Sequence, residues 1–368
     1  MLSVHIDTRP DWRGGQNQVL LTLRGMRTRG HEVVLLALSG APLEARAIAE
    51  GFSVRGIPRR AIRLAAARIL RGLLRERQAH IVHAHDPHAL TAAWLARAFR
   101  QTALVAHRRI LAPLHSGPIA LARYRSADKI FAASKEIAKR VMSSGIPASQ
   151  VEVVYDGIEV PSAVTNDVRQ GARQRWKLVD DQFVFGCVAY MVPGKGHETL
   201  LRALALARNK MAGCRLLLVG DGPLRRDLEN LAGSLGTSEA VTFTGFVEKL
   251  EEVFAALDVF VFPACNEGLG SSLLSAMSYG IPCIAARSGG VPEIVASGVN
   301  GVLVPPSDAE ALAGVMTALA EDREMAVQIG SAGRETVENT FSADRMVECT
   351  LAKYRQVLIA RELGSDFS

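Results

Sequence analysis

Short apolar runs recur along the chain, separated by longer stretches in which apolar residues return every three or four positions. The runs at 2–7, 32–37, 80–84, 103–107, 129–132 and 151–154 predict strands in the first half, and the periodic stretches at 16–29, 41–50 and 88–99 predict helices. The second half repeats the pattern, with predicted strands at 183–188, 215–219, 241–244, 258–262, 282–286 and 301–304. Strands alternating with helices predict the α/β fold class, with parallel sheets covered by helices on both faces. The largely polar, non-periodic stretch 161–167 reads as a linker and divides the chain into domains 1–164 and 165–344. Helical spacing at 345–361 predicts a final helix within 345–368. No tandem repeat or low-complexity segment is visible.

Candidate chemistry concentrates in 262–304. The apolar run before it is stopped by Pro263, and Glu267 follows inside a loop carrying Gly268, Leu269 and Gly270. A helix-like stretch, 271–278, opens with Ser271 and Ser272, and a second glycine loop, Gly289–Gly290, follows the next strand. In open α/β sheets, ligands bind in such loops at the carboxyl ends of strands. The amides at a helix start favour an anion such as a diphosphate. The same residues also fit a plain βαβ unit whose glycines only make turns.

Length and composition bound the alternatives. A chain of 368 residues fits two domains, and 48% apolar with 22% charged residues is ordinary for a globular protein with large cores. No window reaches the ~18 uninterrupted apolar residues of a membrane-spanning helix. The first residues, MLSVHIDTRP, read as a strand without a basic region and apolar leader, so the expected location is cytoplasmic. Five cysteines without a close CxxC pair predict buried free thiols, with Cys265 set apart by its place two residues before Glu267.

Charge is unevenly shared. Residues 1–160 hold 24 Lys/Arg against 12 Asp/Glu, a net of +12, although the whole chain carries only +6. Arg59, Arg60, Arg63, Arg68, Arg71, Arg75 and Arg77 interleave with Ile62, Leu64, Ile69, Leu70, Leu73 and Leu74. That spacing predicts a basic amphipathic helix, either lying on an anionic membrane surface of the cell's inner face or packed on its own domain with solvated arginines. The segment has no aromatic residues to stack on bases, which argues against nucleic acid.

The order of residues in 262–304 resembles the C-terminal half of the retaining nucleotide-sugar glycosyltransferases of family 4, including bacterial enzymes of lipopolysaccharide and cell-surface glycan synthesis. Glu267, Gly268, Leu269, Gly270, Ala276, Met277, Gly280, Pro282, Gly289, Gly290, Pro292, Glu293, Ile294, Val295, Gly298, Gly301, Leu303 and Val304 fall on its pattern in order. The family's second acid, eight residues after the first, is replaced by Ser275. The resemblance extends to Gly14-Gly15-Gln16 after the first strand, to His107, and to 126–159, where Asp156 stands for the usual Asn and Glu159 for the usual Asp. It continues through Lys195, the loops Gly220-Asp221-Gly222 and Gly245-Phe246, and Tyr190 at the position of a family arginine.

This resemblance implies the GT-B fold, two Rossmann-like domains with parallel sheets facing across a cleft, the first binding acceptor and the second nucleotide-sugar. It implies a final helix that crosses back to the first domain. It implies that Glu267 holds hydroxyls of the donor sugar, that His107 approaches that sugar, and that Lys195 neutralises the diphosphate as a point charge. Gly14, Gly15, Tyr190, Gly220, Gly222, Gly245, Phe246, Gly268, Leu269, Gly270, Ser271, Ser272, Leu273 and Ser275 would frame the donor, a sugar linked to UDP, GDP or ADP. Retention of anomeric configuration is implied in the same way. Without an Asp-x-Asp motif no metal or other cofactor is expected. The expected acceptor is lipid-linked, a lipopolysaccharide core, or another glycan, since the basic first half suits anionic lipid. His83 and His85 read as bracing residues, and zinc ligation would need further ligands at suitable spacing. Two other readings stand beside this one. Tyr190 and Ser275 fit a binding or regulatory protein on a degenerate scaffold, and a nucleotide-sugar 2-epimerase shares the fold. No Gly-x-Gly-x-x-Gly follows the first strand, which argues against a dinucleotide dehydrogenase.

Overall fold

The computed structural model describes residues 1–114, 117–179 and 181–361. The chain forms two compact units, Met1–Gly157 with the chain from Ala343 onward, and Ile158–Ser342.

The first unit runs β1 (Leu2–Asp7), α1 (Gly14–Thr28), β2 (Glu32–Leu38), α2 (Pro42–Ala49), β3 (Ser53–Ile57), α3 (Ile62–Glu76), β4 (Ile81–Ala84), α4 (Pro87–Leu95), β5 (Ala103–Arg108), α5 (Pro118–Arg125), β6 (Lys129–Ala132), α6 (Lys135–Ser143) and β7 (Val151–Val153). Its sheet is parallel throughout, in the order β3-β2-β1-β4-β5-β6-β7. Central strands are buried on both faces because helices cover both, as parallel sheets require. One face packs Val4, Ile6, Val82 and Leu104 against α3, α4 and α6. The other packs Leu35, Val105 and Phe131 against α1 and a late helix whose Tyr354 is fully buried.

The second unit runs α7 (Asn166–Arg175), β8 (Val184–Val188), α8 (His197–Ala207), β9 (Arg215–Val219), α9 (Arg225–Ser234), β10 (Val241–Gly245), α10 (Glu251–Phe254), β11 (Val259–Phe262), α11 (Ser271–Ser278), β12 (Cys283–Ala286), β13 (Val302–Val304), α12 (Ala309–Glu321) and α13 (Arg323–Thr336). Its parallel sheet has the order β10-β9-β8-β11-β12-β13. The chain then returns to the first unit as α14 (Ala343–Ala360), which supplies Tyr354 and packs on α1. Residues 362–368 lie outside the described residues. In each sheet the strand order reverses beside the first strand, between β1 and β4 and between β8 and β11. These switch points, at the carboxyl ends of the strands, are where doubly wound sheets leave room for a ligand.

Three features depart from the sequence expectations. An unexpected edge strand, β3, adds a seventh strand to the first sheet. The predicted helix 88–99 ends at Leu95, and Arg97 follows with φ of 56°. The stretch 161–167 contains the start of α7, where the Thr165 hydroxyl accepts a hydrogen bond from Val168 N. For α3 the structure takes the expected alternative of a helix packed on its own domain: Ala66, Ala67, Leu70 and Leu73 are buried, while Arg59, Arg60, Arg63, Arg68, Arg71 and Arg75 remain exposed. That leaves a mainly arginine surface on which Leu64 is also exposed.

Candidate functional site

In the second unit the site is built by close backbone approach at the β8–β11 switch point. The loop after β8 holds Lys195 between two glycines of positive φ, Gly194 and Gly196. A Cβ on Gly196 would lie 2.0 Å from the carbonyl oxygen of Pro263, so only glycine lets the two loops touch. Cys265 N donates to Gly194 O at 2.9 Å and ties the loop after β11 to the same place. The result sets Lys195 Nζ 2.5 Å from Glu267 Oε2, with side chains 28% and 21% exposed. Glu267 Oε1 also accepts from Gly268 N at 3.3 Å.

Gly270 then turns the chain into α11, whose first turn has no side-chain cap. The leading amides of Ser271, Ser272 and Leu273 therefore sit at the positive end of the helix dipole. Leu269 and Leu273 are buried beneath this turn, and Ser275 follows Ser271 by four residues, on one face of the helix and half-buried. Gly220 packs against the same β8 loop, where a Cβ would lie 2.2 Å from Ala189 O, and Met191 N donates to Asp221 O at 2.8 Å beside Gly222. Tyr190 is half-exposed and Phe246, after Gly245, is 72% exposed. Arg225 on α9, which sequence reasoning missed, bonds Phe243 O at 3.2 Å beside Gly245. No local pattern distinguishes it from other surface arginines. Cys265 is partly exposed, with Sγ 3.3 Å from Ser307 Oγ, whereas Cys187, Cys214 and Cys283 are buried.

In the first unit, alternate residues of adjacent strands place four histidines on one face. His5 on β1 is level with His83 on β4, and one pleat further lie His85, just past β4, and His107 on β5. The His83 and His107 rings stack at 5.3 Å between centroids, and those of His83 and His85 meet tilted at 4.1 Å. All are buried, with His83 Nδ1 2.5 Å from the Tyr354 hydroxyl and His5 Nδ1 3.0 Å from His85 Nε2. Arg109, just beyond β5, faces His85 Nδ1 at 3.3 Å, His107 Nδ1 at 3.2 Å and Asp156 Oδ1 at 2.8 Å. It also backs the Gly14-Gly15 turn, since a Cβ on Gly15 would meet Arg109 Cδ at 3.9 Å. Gln16 donates to Asp7 Oδ2 at 3.1 Å, and Asp86 caps α4 through the amides of His88 and Ala89. Ser134 likewise caps α6.

Burial and charge set the protonation of this cluster. Desolvation, reinforced by Arg109, lowers His5 to about 3 and holds His83, His85 and His107 well below the ordinary imidazole value. Burial and the neighbouring Asp86 raise Asp7 to about 6. Burial also raises Asp156, against the pull of Arg109. Nitrogens of His5, His83 and His85 lie within 4.8 Å of one another, close enough to share a metal ion. Convergence on an ion would break the His5–His85 hydrogen bond.

The sequence matches two family models, one for each half. The model described as Glycosyltransferase Family 4 covers residues 12–160, and that described as Glycosyl transferases group 1 covers residues 168–336. The chain belongs to the family 4 type of GT-B glycosyltransferases. Among curated relatives, it is 33% identical over 229 residues to the GDP-mannose-dependent alpha-(1-6)-phosphatidylinositol monomannoside mannosyltransferase of Mycobacterium tuberculosis, covering 60% of this chain and 59% of that protein. It is 31% identical over 236 residues to the lipopolysaccharide core biosynthesis glycosyltransferase LpsE of Rhizobium meliloti, covering 64% and 66%. The match thus spans about three fifths of the first relative's length. The crystal structure of HepE of Anabaena in complex with UDP and glucose superposes with a TM-score of 0.85 at 22% identity, over 95% of this chain and 98% of that one. That of WaaG, a glycosyltransferase involved in lipopolysaccharide biosynthesis, gives 0.72 at 16% identity, over 95% and 98%.

As a family 4 glycosyltransferase, this chain departs from the family pattern at Tyr190, Ser275 and Asp156. The last departure has a local physical partner. A buried carboxylate replaces the family's neutral Asn where Arg109 stands 2.8 Å away to balance it.

Proposed function

We propose that the protein transfers a sugar from a nucleoside-diphosphate sugar to a lipid-linked, lipopolysaccharide-core or other glycan acceptor, with retention of anomeric configuration. The observation that carries this reading is the approach of Lys195 to Glu267 beside the uncapped start of α11. Breaking the bond between the anomeric carbon and the diphosphate develops positive charge on the sugar and negative charge on the leaving phosphate. Preorganised donors aimed at that negative charge supply much of the rate enhancement in such reactions. Lys195 and the amides of Ser271, Ser272 and Leu273 would serve the leaving diphosphate. Glu267 would hold sugar hydroxyls, and its contact with Lys195 would be exchanged for contacts to the donor on binding. Tyr190, Gly220, Gly222, Gly245, Phe246 and Ser275 would frame the nucleotide. In the first unit Gly14, Gly15 and His107 would meet the donor. The cation and amides take the role a metal would otherwise fill, so turnover is proposed to survive chelation with EDTA.

The acceptor is proposed from chemistry and from relatives. One relative is named for phosphatidylinositol mannoside mannosylation and another for lipopolysaccharide core synthesis. The exposed arginines of α3 suit an anionic surface by charge alone, and we place the protein in the cytoplasm, peripheral to the membrane's inner face. Tyr190 and Ser275 support a second reading, a binding or regulatory protein on a degenerate scaffold. A thermal-shift panel of UDP-, GDP- and ADP-sugars, followed by a hydrolysis and transfer assay on the stabilising one, separates the two. Stabilisation with turnover supports the enzyme, and stabilisation without turnover the binding protein. No shift with any nucleotide sugar overturns the enzyme reading in favour of the degenerate scaffold.

A further inference from the structure

Three of the four buried histidines of the first unit are more than packing, because one neighbour determines where their protons sit. A guanidinium has only donors and keeps its charge. A ring nitrogen facing it must therefore be unprotonated. Arg109 Nη2 lies 3.2 Å from His107 Nδ1, and Arg109 Nη1 lies 3.3 Å from His85 Nδ1. Each ring is neutral, so each must carry its proton on Nε2. For His85 that proton is donated to His5 Nδ1 at 3.0 Å. His5 in turn carries its proton on Nε2 and donates to Ser3 Oγ at 3.1 Å. Ser3 Oγ then donates to Met26 Sδ at 3.7 Å. Every donor and acceptor in this line is used in one direction only, and the direction starts at Arg109.

The branch through His107 ends differently. Its Nε2 is buried and has no partner among the described residues. A buried donor left in this state is costly and is normally met by a ligand or water. We infer that Arg109 is a positioning residue that fixes the ring protons of His107, His85 and His5, so that His107 acts through Nε2 as a hydrogen-bond donor and never as a proton acceptor. This rests on the reading of His107 as a residue that meets the donor sugar. Asp156 completes the device by holding the guanidinium at Nε, leaving its two terminal nitrogens for the two rings.

The test is the ring-nitrogen NMR of the full-length protein with labelled histidine, which reports the protonated nitrogen directly. In the native protein at neutral pH, His5, His85 and His107 are expected as Nε2–H tautomers. A proton on Nδ1 of His107 would overturn the inference whether or not any variant folds. Arg109→Met combined with Asp156→Asn removes the pair without stranding a buried charge. It should leave nucleoside-diphosphate affinity unchanged, release the fixed tautomer of His107, and lower kcat for sugar transfer tenfold or more. Arg109→Lys keeps the charge but has one nitrogen for two rings, and should restore one tautomer and part of kcat. Unchanged tautomers in the double variant, or changed tautomers with unchanged kcat, would count against the inference. If the native protein transfers no sugar, the proposed function fails while the tautomers still decide the role of Arg109.

Discussion

Lys195 and Glu267 hold each other at 2.5 Å across the ends of β8 and β11, each more than a fifth exposed. An ion pair so accessible to water stabilises a fold by about 1 kcal/mol at most. Its place at a switch point fits the proposed roles, in which a bound ligand would separate the two partners. The charges oppose each other in the way the two ends of a breaking glycosyl–phosphate bond do.

Lys195→Ala should therefore leave the melting temperature nearly unchanged and weaken nucleoside-diphosphate binding, read by calorimetry. Glu267→Ala should lower sugar transfer more than it lowers affinity for the free nucleoside diphosphate. Equal losses of binding and transfer in the Glu267 variant would move Glu267 from the sugar to the phosphates, and undiminished affinity in the Lys195 variant would remove Lys195 from the site.

A second prediction follows from the neutral histidines. Folding lowers His5 to about 3 and His197 to about 4, and holds His83, His85 and His107 well below 6.5, mainly by burial. Below pH 6.5 the unfolded chain takes up protons that these folded rings refuse, so their contribution to stability is complete above 6.5 and lost as pH falls. Asp7, raised to about 6, works the other way and gains stability for the fold between 6 and 4. Five rings outweigh one carboxyl, even with Asp156 raised as well. The melting temperature should fall between pH 6.5 and 4.5, with net proton uptake on unfolding. A flat profile over that window would contradict the buried neutral cluster.

The sequence was most readable where the local pattern and the fold require the same thing. Strands such as Arg215–Val219 and the helix Ser271–Ser278 have unbroken apolar runs or helical spacing because helices or sheets cover them. Strand Ser53–Ile57 was missed because it lies at an edge, with Ser53, Arg55 and Gly56 exposed and no apolar run to mark it. Helix Asn166–Arg175 was missed because it is anchored by Arg169 and Arg173 to Asp258 and buries little apolar surface. At the site, Lys195 and Glu267 lie in readable glycine loops. Arg109 does not, because it is one of 24 basic residues in the first 160. Only the sheet brings it to positions 85, 107 and 156.

A third prediction concerns the arginines of α3. With most of its apolar face packed inside the unit and Leu64 exposed among arginines, this helix is expected to meet a membrane mainly through charge. Binding to vesicles rich in anionic lipid should appear at low salt and fade as the screening length contracts toward ~8–10 Å. Arg63→Gln, Arg68→Gln and Arg71→Gln together should weaken it without lowering the melting temperature by more than a few degrees. Salt-insensitive binding would mean insertion by another surface, and none at low salt would leave α3 an ordinary solvated face.

The last prediction turns on Ser275, one turn beyond Ser271 on α11. The family's acid at this position binds ribose hydroxyls, and a charge-assisted hydrogen bond contributes about 1.5–3 kcal/mol. Serine is shorter and neutral, so the diphosphate contacts of Lys195 and the α11 amides would carry more of the affinity. Ser275 is half-buried, leaving room for a longer side chain to reach solvent or ligand. Ser275→Glu should then tighten nucleoside-diphosphate binding, by about tenfold for each 1.4 kcal/mol recovered. If the pocket has instead been reshaped around serine, glutamate brings an unpaired charge into a partly dry site and binding weakens. Calorimetric titration of both proteins with UDP, GDP and ADP distinguishes these outcomes. Tighter binding by the glutamate variant points to a lost ribose contact in an otherwise working donor site, and weaker binding to a donor held differently from that of the family.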